Sequence, residues 1–181
     1  GASNIYCFGG RRFGKTHFVE TIDILMGMFL LEGHQAALSS IHALHLRGII
    51  EKIVTVLRTH PLFKILDTQI NRSPNYRIAL KSGYLFESIN MNLAGQAPGQ
   101  SLFQKHVHRL YIEEAGFESQ EVYDKRIDAV SEDGCVYRLA GMTNFTKYSP
   151  TGKTYFDIDK KSQVVNLPQT INPKWNADEQ A

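Results

Sequence analysis

The sequence predicts an α/β domain with a mostly parallel central sheet flanked by helices and an inserted β-hairpin, and three observations carry that expectation. In the N-terminal half, short apolar runs alternate with long stretches of helical spacing, the pattern of strand–helix–strand units. Gly9-Gly10-Arg11-Arg12-Phe13-Gly14-Lys15-Thr16 spells G-x-x-x-x-G-K-T between the apolar run Ile5-Tyr6-Cys7-Phe8 and a helical pattern, which is the frame a phosphate-binding loop requires. A later apolar run, Val107-His108-Arg109-Leu110-Tyr111-Ile112, ends in two consecutive acids, Glu113 and Glu114.

Ile5 to Phe8 is the first strand. In the loop after it the glycines let backbone N–H groups turn inward around phosphates, and the start of the next helix adds its positive dipole end. The Lys15 ammonium is placed for the β- and γ-phosphates, and the Thr16 hydroxyl for Mg²⁺. All eight residues from Gly9 to Thr16 are therefore candidates for binding ATP. The later Gly152-Lys153-Thr154 has Lys147 where the first glycine should stand and no apolar helix behind it, and reads as a turn.

From Lys15, the residues Phe18, Ile22, Leu25, Met26, Phe29 and Leu30 recur at helical spacing, with Gly33 as the stop. Ala36-Ala37-Leu38 is a short strand ending in Ser39-Ser40, and Leu46, Ile49, Ile50, Ile53, Val54 and Leu57 mark one face of a second helix. That order predicts a βαβ unit with parallel pairing. Shorter runs follow: Phe63 to Leu66, then Tyr76 to Leu80 and Tyr84 to Ile89, the last two joined by Lys81-Ser82-Gly83 as a β-hairpin. Leu93 to Ser101 is a polar loop rich in Gly and Gln.

The strand ending in Glu113-Glu114 has the form of a Walker B element. Glu113 is expected to hold the Mg²⁺ shell through water, and Glu114 to orient and deprotonate the attacking water. Glu113 stands where an Asp is more usual. Phe117 to Val130 reads as a helix and Cys135 to Gly141 as a strand, after which Thr143 and Asn144 are placed to report the state of the γ-phosphate, or else simply cap the strand. Tyr155 to Asp159 reads as a short helix or turn, and Gln163 to Leu167 as a last strand.

At 181 residues, 43% apolar and 21% charged, the chain suits a single domain with a substantial core. A net charge of +2 advertises no general affinity for nucleic acid, so DNA contact must come from a local patch. Cys7 and Cys135 have no metal spacing and read as buried thiols. The apolar stretch Ile22 to Leu31, interrupted by Asp23 and Gly27, is too short to cross a bilayer. His42 with His45, and His106 with His108, lack acidic or Cys partners at a telling spacing and read as ordinary surface or core histidines.

Taken together, the phosphate loop with its arginines, Leu38-Ser39-Ser40, the hairpin, Tyr111-Ile112-Glu113-Glu114-Ala115, Gly141-Met142-Thr143 and Asn172-Pro173 resemble the ATPase domain of the large terminase subunit of tailed bacteriophages over nearly the whole chain. The resemblance implies a P-loop NTPase of the RecA-like (ASCE) class, hydrolysing ATP with Mg²⁺ to drive viral double-stranded DNA into a procapsid. It implies that Arg11 or Arg12 stabilises the γ-phosphate. The partners it implies are DNA bound without regard to sequence, portal protein, the small terminase subunit and further copies in a ring, in the host cytoplasm at the portal and away from any membrane. Ser39-Ser40 and the Leu93 to Ser101 loop are the candidate DNA contacts.

Members of that family hold adenine with residues upstream of the loop, where this sequence has residues 1–8, and neither that segment nor the family's nuclease domain is expected within these 181 residues. For the arginine that members offer to a neighbouring subunit, Lys105, Arg109 and Arg126 are the candidates. Two other readings stay open: a superfamily 2 helicase-like DNA-dependent ATPase, and a nucleotide-binding interaction module without turnover. Ala115-Gly116 after Glu114, where a helicase would carry an acid or His two residues on, favours the packaging motor.

Overall fold

The computed structural model describes residues 4–9, 14–73, 75–91, 106–114, 121, 131–141 and 162–167. Strand β1 (Asn4–Gly9) is followed in the described residues by a π-helical segment, Thr16–Ile22, which runs straight into helix α1 (Asp23–Leu30). Then come β2 (Gln35–Ser40), helix α2 (Ala43–Thr59), β3 (Thr68–Asn71), β4 (Arg77–Leu80), β5 (Leu85–Asn90), β6 (Val107–Ile112), β7 (Ser131–Gly141) and β8 (Ser162–Leu167).

The eight strands form one sheet in the order β3-β4-β5-β2-β6-β7-β1-β8. Pairing is parallel from β5 across to β8 and antiparallel only at the β3 and β4 edge. β2, flanked by β5 and β6, is buried from Ala36 to Ser40, as a strand covered on both faces must be. The expected strand–helix–strand unit is present, but β1 and β2 are not neighbours: β6 and β7 lie between them. The loop strand β1 is thus separated from the acid-tipped β6 by one strand, the P-loop RecA-like arrangement.

The second helix buries Leu46, Ile49, Ile50, Ile53, Val54 and Leu57, the stripe read from the sequence. It begins where the Ser40 hydroxyl accepts the His42 N–H at 3.2 Å, and ends at His60, which is extended (φ −77°, ψ 127°) because Pro61 follows. The hairpin is present as β4 and β5, with Arg77 opposite Glu87. Phe63 to Leu66 is not extended but forms turns, and the edge strand β3 follows it at Thr68.

The first helix departs most from expectation. The residues turned to the core are Ile24, Leu25, Gly27 and Met28, while Ile22, Met26, Phe29 and Leu30 are exposed. Two packing features rotate it. Asp23 is bonded to β6, and Gly27 lies so close to the buried Tyr84 that an added Cβ would stand 3.0 Å from its hydroxyl. Those residues, four apart, fix the inward face.

Candidate nucleotide site

The site forms at the carboxyl ends of β1 and β6, the edge where open α/β sheets place ligands. β1 delivers Gly9, and the chain re-enters the described residues at Gly14 with φ 76°, a left-handed value that glycine adopts without strain. Lys15 and Thr16 follow at the mouth of the helical segment, both partly buried. Gly10, Arg11, Arg12 and Phe13 lie outside the described residues. Burial raises the pKa of the Cys7 thiol and the Lys15 charge opposes that shift, so the Lys15 field reaches back to the end of β1.

β6 delivers Glu113 directly after Ile112. The Glu113 N–H donates to the Ser39 carbonyl at 3.0 Å, carrying the β2 pairing one step past the strand and fixing where its side chain emerges. The Thr16 hydroxyl donates to Glu113 Oε1 at 2.8 Å, although 97 residues separate them in the chain. Glu113 is only 8% exposed. A partly buried hydroxyl and a buried carboxylate, both hard oxygen donors, fit a divalent cation such as Mg²⁺.

Glu114 has φ 56°, the one positive value among the described residues other than glycine. A non-glycine residue in that region costs on the order of 1–3 kcal/mol and is concentrated at functional sites. Glu114 Oε2 is buried and bonded to none of the described residues.

Of the residues singled out in the sequence, Gly14, Lys15, Thr16, Glu113 and Glu114 therefore converge on one edge. β7 ends at Gly141, paired with Phe8 of β1; Thr143 and Asn144 lie outside the described residues, as do Lys105, Arg126 and Leu93 to Ser101. Two expectations are corrected. Ser39 and Ser40 stand at this edge but are fully buried, Ser39 donating to the Tyr111 carbonyl at 3.2 Å, so neither can meet a DNA backbone. Arg109 is not offered to a neighbour: it points along the helix-facing side of β6 and pairs with Asp23 at 2.9 Å.

Sequence reasoning missed Asp23 and Tyr111, whose hydroxyl donates to Asp23 Oδ2 at 2.6 Å. The available signal was an acid interrupting an otherwise apolar helix. Burial, with Tyr84 and Asp23 nearby, pushes the Tyr111 phenol well above its ordinary pKa and keeps it a donor.

Similar solved structures bear on this geometry. The large terminase of a thermophilic bacteriophage superposes with TM-score 0.74 at 15% identity, over 98% of this chain and 43% of its own. The Thermus phage P74-26 large terminase ATPase domain gives 0.73 at 11% identity, over 91% of this chain and 75% of its own. The fold is that of a large terminase ATPase domain. The bacteriophage HK97 large terminase gives 0.72 at 10% identity, over 92% of this chain and 35% of its own. The first of these, the thermophilic-phage terminase, has also been solved with ADP and with ATP-γ-S. The chain thus spans less than half the length of that terminase. Neither the sequence profile of a known family nor a curated protein sequence matches it.

Proposed function

We propose that this chain is the ATPase domain of a large terminase, hydrolysing ATP to drive viral double-stranded DNA into a procapsid. The observation that carries this reading is the Thr16 to Glu113 contact at the sheet edge, with Glu114 beside it in a left-handed turn, on the large-terminase fold. Nucleotides bound to the thermophilic-phage terminase support ATP as the substrate.

In this reading Lys15 binds the β- and γ-phosphates, and the loop amides from Gly9 to Thr16 surround them. Thr16 and Glu113 hold Mg²⁺, Glu113 through water; when bound, the ion neutralises charge on the phosphate oxygens. Glu114 accepts a proton from water as its oxygen attacks the γ-phosphorus and the bond to the ADP oxygen breaks. Arg11 and Arg12 stabilise charge on the transferred group, and Thr143 and Asn144 carry its loss to the rest of the domain. DNA, portal protein, the small terminase subunit and further copies in a ring are the partners, at the procapsid portal in the host cytoplasm.

Phosphate release with and without double-stranded DNA tests the reading, comparing the parent with Glu114→Gln. The variant is expected to keep ATP affinity and lose turnover by about 10²- to 10⁴-fold, since an amide can orient water but not take its proton. A parent that binds ATP without releasing phosphate under any condition would be an interaction module instead.

A further inference from the structure

Arg109 and Tyr111, alternate residues of β6, fall on one face of the sheet as the strand period requires, and Glu113 follows directly after the strand ends at Ile112. All three bond to the helical segment above them. Glu113 accepts from Thr16 at the segment's first residue; Tyr111 and Arg109 both donate to Asp23 Oδ2, where the π-helical turns give way to α1. The helix and the strand are joined at two points, and the π-helical segment Thr16–Ile22 lies between them.

The lower joint holds a carboxylate, a guanidinium and a phenol, the side chains of Asp23 and Arg109 being 30% and 20% exposed. Charge-assisted bonds of this kind are short, directional and roughly twice as strong as neutral ones. The upper joint is a single hydroxyl bond between two residues suited to the same cation. Thr16 could slide along β6 by a fraction of a turn if nothing else held the helix. Gly27 lets the helix pack closely on Tyr84, but it supplies no polar anchor along the strand.

We infer that Asp23, held by Tyr111 and Arg109, is a positioning residue that sets the register of the phosphate-loop helix on β6 and so keeps Thr16 and Glu113 together as a Mg²⁺ ligand pair. This inference rests on the reading of the site as a Mg²⁺-dependent nucleotide site. Asp23 stands at the opposite end of the π-helical segment from Thr16 and acts through it.

The test is equilibrium binding of ADP to the full 181-residue chain, with saturating Mg²⁺ and again with EDTA; the ratio of the two affinities measures the metal's contribution. Tyr111→Phe removes one hydroxyl and keeps the buried ring. It is expected to lower that ratio by about fivefold or more, the affinity in EDTA falling by less than the affinity in Mg²⁺, because the joint acts chiefly on the Thr16–Glu113 pair. Asp23→Asn, at a partly exposed position, should act in the same direction and serves if the buried substitution impairs folding. In a Thr16→Ala background Tyr111→Phe should have no further effect on the ratio, an outcome that general destabilisation would not produce. If the parent responds to Mg²⁺ and both variants respond equally, Asp23 does not position the ligand pair and the inference fails alone. If the parent's affinity is indifferent to Mg²⁺, the nucleotide-site reading fails and takes the inference with it.

Discussion

Replacing Glu113 with Gln separates what the carboxylate does for the fold from what it does for a bound cation. The side chain is 8% exposed and its one bond to another described side chain is the 2.8 Å contact from Thr16. A hydrogen bond to a charged acceptor contributes roughly 1.5–3 kcal/mol and one to a neutral acceptor roughly 0.5–1.5 kcal/mol, so the amide, which still accepts from Thr16, gives up about 1–1.5 kcal/mol. Against this stands the desolvation of a buried carboxylate, several kcal/mol per ion, which the amide does not incur. Without Mg²⁺ the variant should therefore be at least as stable as the parent, with a melting temperature no lower. With Mg²⁺ and ADP the order should reverse, because the variant loses the charge that would hold the ion's water shell and with it about 10- to 100-fold in nucleotide affinity, at roughly 1.4 kcal/mol for each factor of ten. Differential scanning fluorimetry in EDTA and in Mg²⁺-ADP reads both. A variant that melts well below the parent in EDTA would show that Glu113 is retained as a structural acceptor for Thr16, and would refute the metal-ligand argument.

Lys15→Ala should abolish nucleotide binding, measured by calorimetry, since Lys15 is the cation the motif places at the phosphates; undiminished affinity would remove the phosphate loop from the site. Ile53→Ala, at a fully buried position in the centre of the α2 stripe, should cost about 2–5 kcal/mol in urea unfolding, and a loss below about 1 kcal/mol would show that α2 does not pack as described. DNA affinity should fall steeply with salt and be indifferent to sequence, as contacts to phosphates are; a footprint that follows one sequence would contradict it.

Much of the candidate site was legible because it is local. G-x-x-x-x-G-K-T is contiguous, its glycine spacing encodes a backbone path, and Glu113-Glu114 end a short run rich in β-forming apolar residues. The α2 stripe was legible for the same reason, since a helix packed on one side writes its own period. The contact face of α1 was not. Its period is clear, but its phase is set by Asp23 against β6 and by Gly27 against Tyr84, partners far along the chain that no window around the helix contains. The fate of Ser39 and Ser40 was hidden similarly, because a strand end is exposed or buried according to what lies beside it, here the Glu113 N–H and the Tyr111 carbonyl of β6.

By itself, then, the sequence determined the stripe of α2, the β4–β5 hairpin, the phosphate-loop motif and the acids that follow β6, all properties of short contiguous segments whose spacing dictates backbone geometry. Only the tertiary structure decided that β7 separates β1 from β6, that Arg109 is bound within its own chain rather than presented to a neighbour, and that Thr16 meets Glu113 across 97 residues. Those outcomes depend on which strands pair and how a helix is rotated on them, and that is settled by burial and hydrogen-bond satisfaction summed over the whole sheet.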